Sequence, residues 1–307
     1  MDFSSIAKRL GIGETPLLPY EEDFDADIFV KYETYNATGS VKDRPALNMI
    51  LCAERDGILT PGCTIVEATS GNMGISLAYV GASRGYKVLL TMPDTMSAER
   101  RTLLQGLGAQ LVLTEGKLGM QGAVDMARQL ALQPNHVWLD QFNNPANTSA
   151  HIQTGQELVE QLDKIDVFVA GVGTGATISG VAQVLLQAHP DCQIVAVEPA
   201  SSATLSRGEK GAHVIQGIGA GFVPPLYNSK VVSHVQLVTD DQALQKFAEL
   251  NHKLGYCCGI SSAANIVVCE RLAKNPEYKG KNIVTLFADS DDRYESMLKS
   301  MRYQLRT

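Results

Sequence analysis

Several absences narrow what this chain can be. Its six cysteines, Cys52, Cys63, Cys192, Cys257, Cys258 and Cys269, include no C-x-x-C pair. They therefore do not read as a zinc or dithiol site, and reduced, mostly buried thiols are expected. An excess of basic residues is missing too: the formal net charge is −7 and the pI near 5.4, which argues against nucleic acid or an anionic membrane as a partner. No apolar run reaches the length of a membrane span, and the opening MDFSSIAKRLGIGETP lacks the basic-then-apolar layout of a secretory leader, so no membrane association and a cytoplasmic location are expected. Low-complexity runs, short repeats and a Pro/Ser-rich linker are also lacking. With 45% hydrophobic and 19% charged residues over 307 positions, the chain can bury a sizeable core as one large domain or two intimately joined ones.

What is present is an alternation of two periods. DIFVKYE reads as a strand before the helical pattern RPALNMILCAERDG, and CTIVEA as a strand before NMGISLAYVGASRG. YKVLLTM, SAERRTLLQGLG, AQLVLTE, MQGAVDMARQLAL and HVWLDQ continue the rhythm to residue 141. An amphipathic segment, TSAHIQTGQELVEQLD, leads to a second block that opens at DVFVAGVGTGATISGVAQVLLQAH. Strand CQIVAVEP, a loop-rich stretch over 200–230, helices DQALQKFAELNHKLG and SAANIVVCERLAK and strand NIVTLF complete it. Such alternation predicts an α/β protein of two joined α/β units with largely parallel sheets, and ligands of open α/β sheets gather at strand C-termini.

Three short motifs can carry chemistry. In ATGSVKDRPALNMI, Lys42 follows a flexible turn and opens a helix, where the dipole disfavours a cation. GVGTGAT, residues 171–177, follows an apolar strand and opens a helix; its glycines and helix-start N–H groups suit a phosphate, although neither G-x-G-x-x-G nor a P-loop ending is met. TSGNMG, residues 69–74, places hydroxyls, an amide and N–H groups at another helix start, which suits either a carboxylate clamp or an ordinary N-cap and turn.

Taken with GISS (259–262), these motifs resemble the cysteine synthase (O-acetylserine sulfhydrylase) and cyanoalanine synthase family, pyridoxal-phosphate enzymes of the tryptophan synthase β-like fold, fold type II. GETPLL, SVKDR, TSGN, TMPDTMSAERR, GAQLVLTEG, QFNNPAN, VFVAGVGTG, VAVEP, IQGIGAGF and GISS follow the family's order along essentially the whole chain. The resemblance implies a larger cofactor-binding domain over 1–42 and 148–307 and a smaller mobile domain over 43–147. It implies that Lys42 bonds the cofactor as an internal aldimine and shuttles the α-proton, that Asn72 contacts the ring's 3-hydroxyl, and that Gly173, Thr174, Gly175, Ala176 and Thr177 hold the phosphate. Ser261 would face the pyridine nitrogen, while Thr69, Ser70, Asn72, Met73 and Gln141 would meet the substrate. A lysine that must be a nucleophile is better placed at a turn than on a helix face, which accounts for Lys42.

The implied reaction is a two-step β-replacement through α-aminoacrylate, in which O-acetylserine and sulfide give cysteine and acetate. A rival takes cysteine itself and releases hydrogen sulfide, with cyanide or a thiol as acceptor. Met73 leans toward the rival, since the cysteine synthases usually read T-S-G-N-T-G and the cyanoalanine synthases commonly T-S-G-N-M-G, although a packing role on the helix's inner face accounts for it as well. Ala176 stands in a phosphate turn that commonly reads G-T-G-G-T, Ala263 where glycine is frequent, and Ala288 to Tyr294 replaces P-x-S-G-E-R-Y with three aspartates, Asp289, Asp291 and Asp292. A solvated acidic loop is expected there. A third reading, a regulatory partner that binds the cofactor without turnover, is opposed by the intact Lys42, Asn72, Ser261 and Gln141. The family resemblance also implies a homodimer that takes small amino-acid substrates and small nucleophiles.

Overall fold

The computed structural model describes residues 3–294. They form two compact units, one of the residues up to Ile12 with Asn36–Ala150 and one of Gly13–Tyr35 with the described residues from His151 on. The chain passes from one unit to the other at 12/13, 35/36 and 150/151, where the sequence reading divided it at 42/43 and 147/148. Lys42 is thereby grouped with the residues that follow it. The last passage falls inside the helix Pro145–Gln161.

The first unit is built on a four-stranded parallel sheet in the order Gln110–Thr114, Lys87–Pro93, Thr64–Ala68, His136–Trp138. Its two central strands are largely buried and mostly apolar because helices cover both faces, as a parallel sheet requires. Val88, Leu90 and Met92 face a core shared with the helices Asp43–Arg55 and Asn72–Ser83, through Leu47, Ile50, Met73 and Leu77. Leu89 points the other way and joins Val66, Ala68, Ala123 and Ala127 under the helix Gly119–Leu130. Each large side chain so buried contributes about 1.5–3 kcal/mol.

The second unit carries a six-stranded sheet in the order Leu17–Pro19, Asp27–Tyr32, Asn282–Phe287, Val167–Gly171, Gln193–Pro199, His234–Val238. Only the Leu17–Pro19 pairing is antiparallel. Val167 and Val169 pack with the helix Ile260–Ala273 on one face, while Phe168 and Ala170 pack with the helix Ala176–Ala188 on the other. The α/β class with largely parallel sheets is as the sequence predicts. Lys31, fully buried within the strand DIFVKY, is tolerated because its Nζ reaches Glu157 Oε2 at 2.7 Å, Thr15 O at 2.6 Å and Gln161 Oε1 at 2.8 Å. No helix among the described residues is long and apolar enough to cross a membrane.

Candidate active site

In the first unit, Lys42 is the N-cap of the helix Asp43–Arg55, half-buried, with φ −74° and ψ −14°. Its next neighbour explains how a cation is accommodated there. Asp43 is fully buried, and its carboxylate accepts from Thr38 N (2.7 Å) and Thr38 Oγ1 (2.5 Å). An anion in the first turn is favoured by the helix dipole and offsets the lysine. Thr38 Oγ1 also lies 3.4 Å from Ser76 Oγ, which ties the turn before Lys42 to the helix Asn72–Ser83.

The TSGN turn leaves the C-terminal end of the strand Thr64–Ala68 and starts that second helix at Asn72. Thr69 Oγ1 accepts from Gly71 N at 3.2 Å, closing a local hydroxyl turn. The half-buried Ser70 hydroxyl and the buried Gln141 side-chain amide have no hydrogen-bonding partner among the described residues. Met73 points inward, 2% exposed, into the apolar core with Ile65, Leu77 and Leu104. It therefore shapes the turn from behind.

The QFNNPAN segment is held by its own amides. Asn143 Nδ2 donates to the Asp140 carboxylate at 2.9 and 3.0 Å, Asn144 Nδ2 to Leu139 O at 2.8 Å, and Asn147 Nδ2 to Gln141 O at 2.7 Å. Asp140 has a left-handed φ of 50°, an uncommon conformation for a residue other than glycine.

Sequence reasoning missed Glu67. Its carboxyl, 2% exposed, accepts from Ala68 N (3.1 Å) and Trp138 Nε1 (3.3 Å) on one oxygen and from Gln141 N (3.3 Å) on the other. Burial pushes its pKa up to about 8; the charge of Asp140 adds to this, while the three N–H donors work against it. The signal was present, since a charged residue interrupts the apolar run CTIVEA two positions before Thr69.

In the second unit, the glycine-rich turn follows the C-terminal end of the central strand Val167–Gly171 and opens the helix Ala176–Ala188. Gly175, at φ +81°, is the left-handed residue; Ala176 already belongs to the helix, so alanine there is unstrained. A Cβ at Gly173 would collide with the carbonyl of Gly217, and one at Gly175 would lie 2.7 Å from Tyr227. Ala176 N donates to Thr174 Oγ1 at 3.4 Å, and with no side chain on Gly175 the other first-turn N–H groups are left to an anion. Thr177 Oγ1 is 3.2 Å from Nε2 of the buried His151, a second residue that sequence reasoning missed. Ser261 is buried, its hydroxyl has no hydrogen-bonding partner among the described residues, and a Cβ on Gly217 would lie 3.7 Å from it. Gly217 thus stands between the anion turn and Ser261.

Within the second unit, an anion cup cleared of side chains with a neutral hydroxyl close to it fits pyridoxal phosphate; within the first, Lys42 offers an amine at a helix-start turn. The structure corrects one expectation. The acidic stretch after Phe287 is not wholly solvated: Asp292 is exposed, but Asp289 is 2% exposed, accepting from Tyr294 OH at 2.9 Å while its carbonyl accepts from Gly259 N at 2.8 Å. It braces the start of GISS instead of bathing in water.

The family model described as "Pyridoxal-phosphate dependent enzyme" matches residues 8–289. A cysteine synthase of Staphylococcus aureus (strain N315) is 46% identical over 291 residues, covering 93% of this chain and 94% of that protein. A crystal structure of cysteine synthase from Entamoeba histolytica superposes with TM-score 0.90 at 40% identity, covering 93% of this chain and 88% of that one. A hydrogen sulfide-producing enzyme from Fusobacterium nucleatum superposes with TM-score 0.88 at 38% identity, covering 92% and 96%.

Proposed function

The chain belongs to the pyridoxal-phosphate-dependent enzyme family, and on that premise we propose that it makes L-cysteine from O-acetyl-L-serine and sulfide, releasing acetate. The observation that carries this reading is Ser261, a buried neutral hydroxyl without a partner among the described residues, beside the glycine-cleared anion turn. When bound, the cofactor supplies an electron sink for the pair left at the substrate's α-carbon. The Ser261 hydroxyl, placed to face the ring nitrogen, would add no proton to it, which would keep that sink moderate and favour loss of a β-substituent.

Gly173, Thr174, Gly175, Ala176 and Thr177 would hold the phosphate by backbone N–H groups and hydroxyls, and Asn72 would hold the ring's 3-hydroxyl. Thr69, Ser70, Asn72 and Gln141 bind the substrate carboxylate, with Met73 setting the turn by its packing. The Lys42 amine would anchor the cofactor, and its Nζ would take the substrate's α-proton and later return it. In balance, the Cβ–O bond breaks to release acetate, and hydrosulfide forms the Cβ–S bond. A homodimer in the cytoplasm belongs to the same reading.

A cysteine-consuming reaction that releases hydrogen sulfide is the second reading, favoured by Met73 in TSGNMG and by the likeness to the Fusobacterium enzyme. The deciding experiment compares product formation by the purified holoenzyme from O-acetylserine with sulfide and from L-cysteine with cyanide or a thiol. Cysteine formation should dominate; rapid sulfide release from cysteine with little turnover of O-acetylserine would transfer the assignment to the second reading. Lys42→Ala should lower turnover by about 10³-fold or more, the range of a lost positioned proton carrier. Unchanged turnover in that variant would dismiss the enzymatic role of Lys42.

A further inference from the structure

The strand end that leads into Thr69–Asn72 and the segment that bears Gln141 are separate in sequence, and one buried carboxyl fastens them together. Glu67 Oε1 accepts from Ala68 N at 3.1 Å, directly before Thr69, and Oε2 accepts from Gln141 N at 3.3 Å. Trp138 Nε1, at 3.3 Å, holds the same carboxyl from the strand His136–Trp138. We propose that Glu67 is a positioning residue which, held neutral, docks Gln141 against the Thr69–Asn72 turn and lets the substrate's carboxylate bind beside it without like-charge repulsion. This deepens the proposed function and rests on its assignment of Gln141 and the TSGN turn to the substrate carboxylate.

The charge argument is one of geometry and burial. A carboxyl with 2% exposure is poorly solvated as an anion, and the charged group whose field reaches it is Asp140, from the segment after Trp138. Arg128 of the helix Gly119–Leu130 lies 5.7 Å from the Trp138 ring centroid, on the residue that donates to Glu67. No other titratable side chain lies on the strand Thr64–Ala68. A neutral carboxyl still accepts from the N–H groups of Ala68 and Trp138, and its hydroxyl oxygen from that of Gln141. An ionised one does so more strongly but sets a negative charge behind an anion site. With the proton leaving at about pH 8, wild-type KM for the amino-acid substrate rises as pH increases through that value.

The test uses the holoenzyme, O-acetylserine KM between about pH 7 and about pH 9, and the emission of Trp138, the chain's one tryptophan. Wild-type KM should rise about fivefold over that span, while Glu67→Gln should start about threefold higher and stay flat relative to titration of the substrate's own amine. Trp138 emission should titrate near pH 8 in the wild type and not in Glu67→Gln, a readout that needs no turnover. Gln141→Ala separates the two layers of argument. If it leaves KM unchanged, the carboxylate-site reading fails and takes this inference with it. If it raises KM about tenfold while Glu67→Gln follows the wild-type profile, the role of Glu67 alone is overturned. Should Glu67→Gln not fold, Trp138→Phe removes one donor that favours the ionised form and should move the KM rise to higher pH; an unmoved profile overturns the inference.

Discussion

Gly175 is the residue on which the anion turn depends most. A side chain there must adopt a left-handed φ of +81° and fit 2.7 Å from Tyr227. The backbone conformation alone costs about 1–2 kcal/mol for an L-residue, before any clash. Gly175→Ala should therefore lower the melting temperature by several degrees and weaken cofactor retention at least about tenfold, read by dialysis and cofactor absorbance. Neighbouring Ala176 behaves differently, because it lies inside the helix and needs no positive φ. Met73 gives a similar lesson: the sequence marks it as a departure, and burial at 2% explains how it can alter the turn through its packing.

At the scale of elements, the candidate residues lie on turns at helix starts, and groups that are hard to see in the linear chain hold those turns. The Lys42 turn is stapled by Asp43, which sits at the positive end of its helix and takes two hydrogen bonds from Thr38. Asp43→Ala would strand those donors and remove the first-turn anion, costing about 2–4 kcal/mol. The expected outcome is a clear loss of thermal stability with a lower rate of cofactor incorporation; an unchanged melting curve would show that the staple is dispensable. QFNNPAN works likewise: Asn144 and Asn147 serve the backbone of 139–147, Asn143 the Asp140 carboxylate, and the Gln141 amide is left for other use.

For the whole molecule, the large pKa shifts with assignable values run in one direction. Burial raises Glu67 from 4.5 to about 8, Cys192 from 9.0 to about 12 and Tyr86 from 10.0 to about 12. Each group keeps its proton in the fold at pH values where the unfolded chain has released it. Stability from Glu67 is thus complete below about pH 4.5 and lost as pH rises through about 8, with Cys192 and Tyr86 extending the decline above about pH 9. Melting temperature should fall steadily from about pH 6 to about pH 10, and the fall below about pH 8 should flatten in Glu67→Gln. A melting temperature that climbs with pH over this range would contradict that assignment.

Local patterns determined much of this protein from the sequence alone. The alternation of strand and helix periods, the three motif turns and the order of the family's motifs specify an α/β cofactor enzyme, because periodicity and glycine placement act within a few residues. The tertiary structure decided what depends on burial and on contacts distant along the chain. It turned Glu67 from an interruption in CTIVEA into a carboxyl bonded to Gln141, 74 residues away. It placed Asp289 in the interior behind GISS, and it grouped Lys42 with the first unit. Desolvation and long-range hydrogen bonding are properties of the packed chain, and no short window of residues contains them.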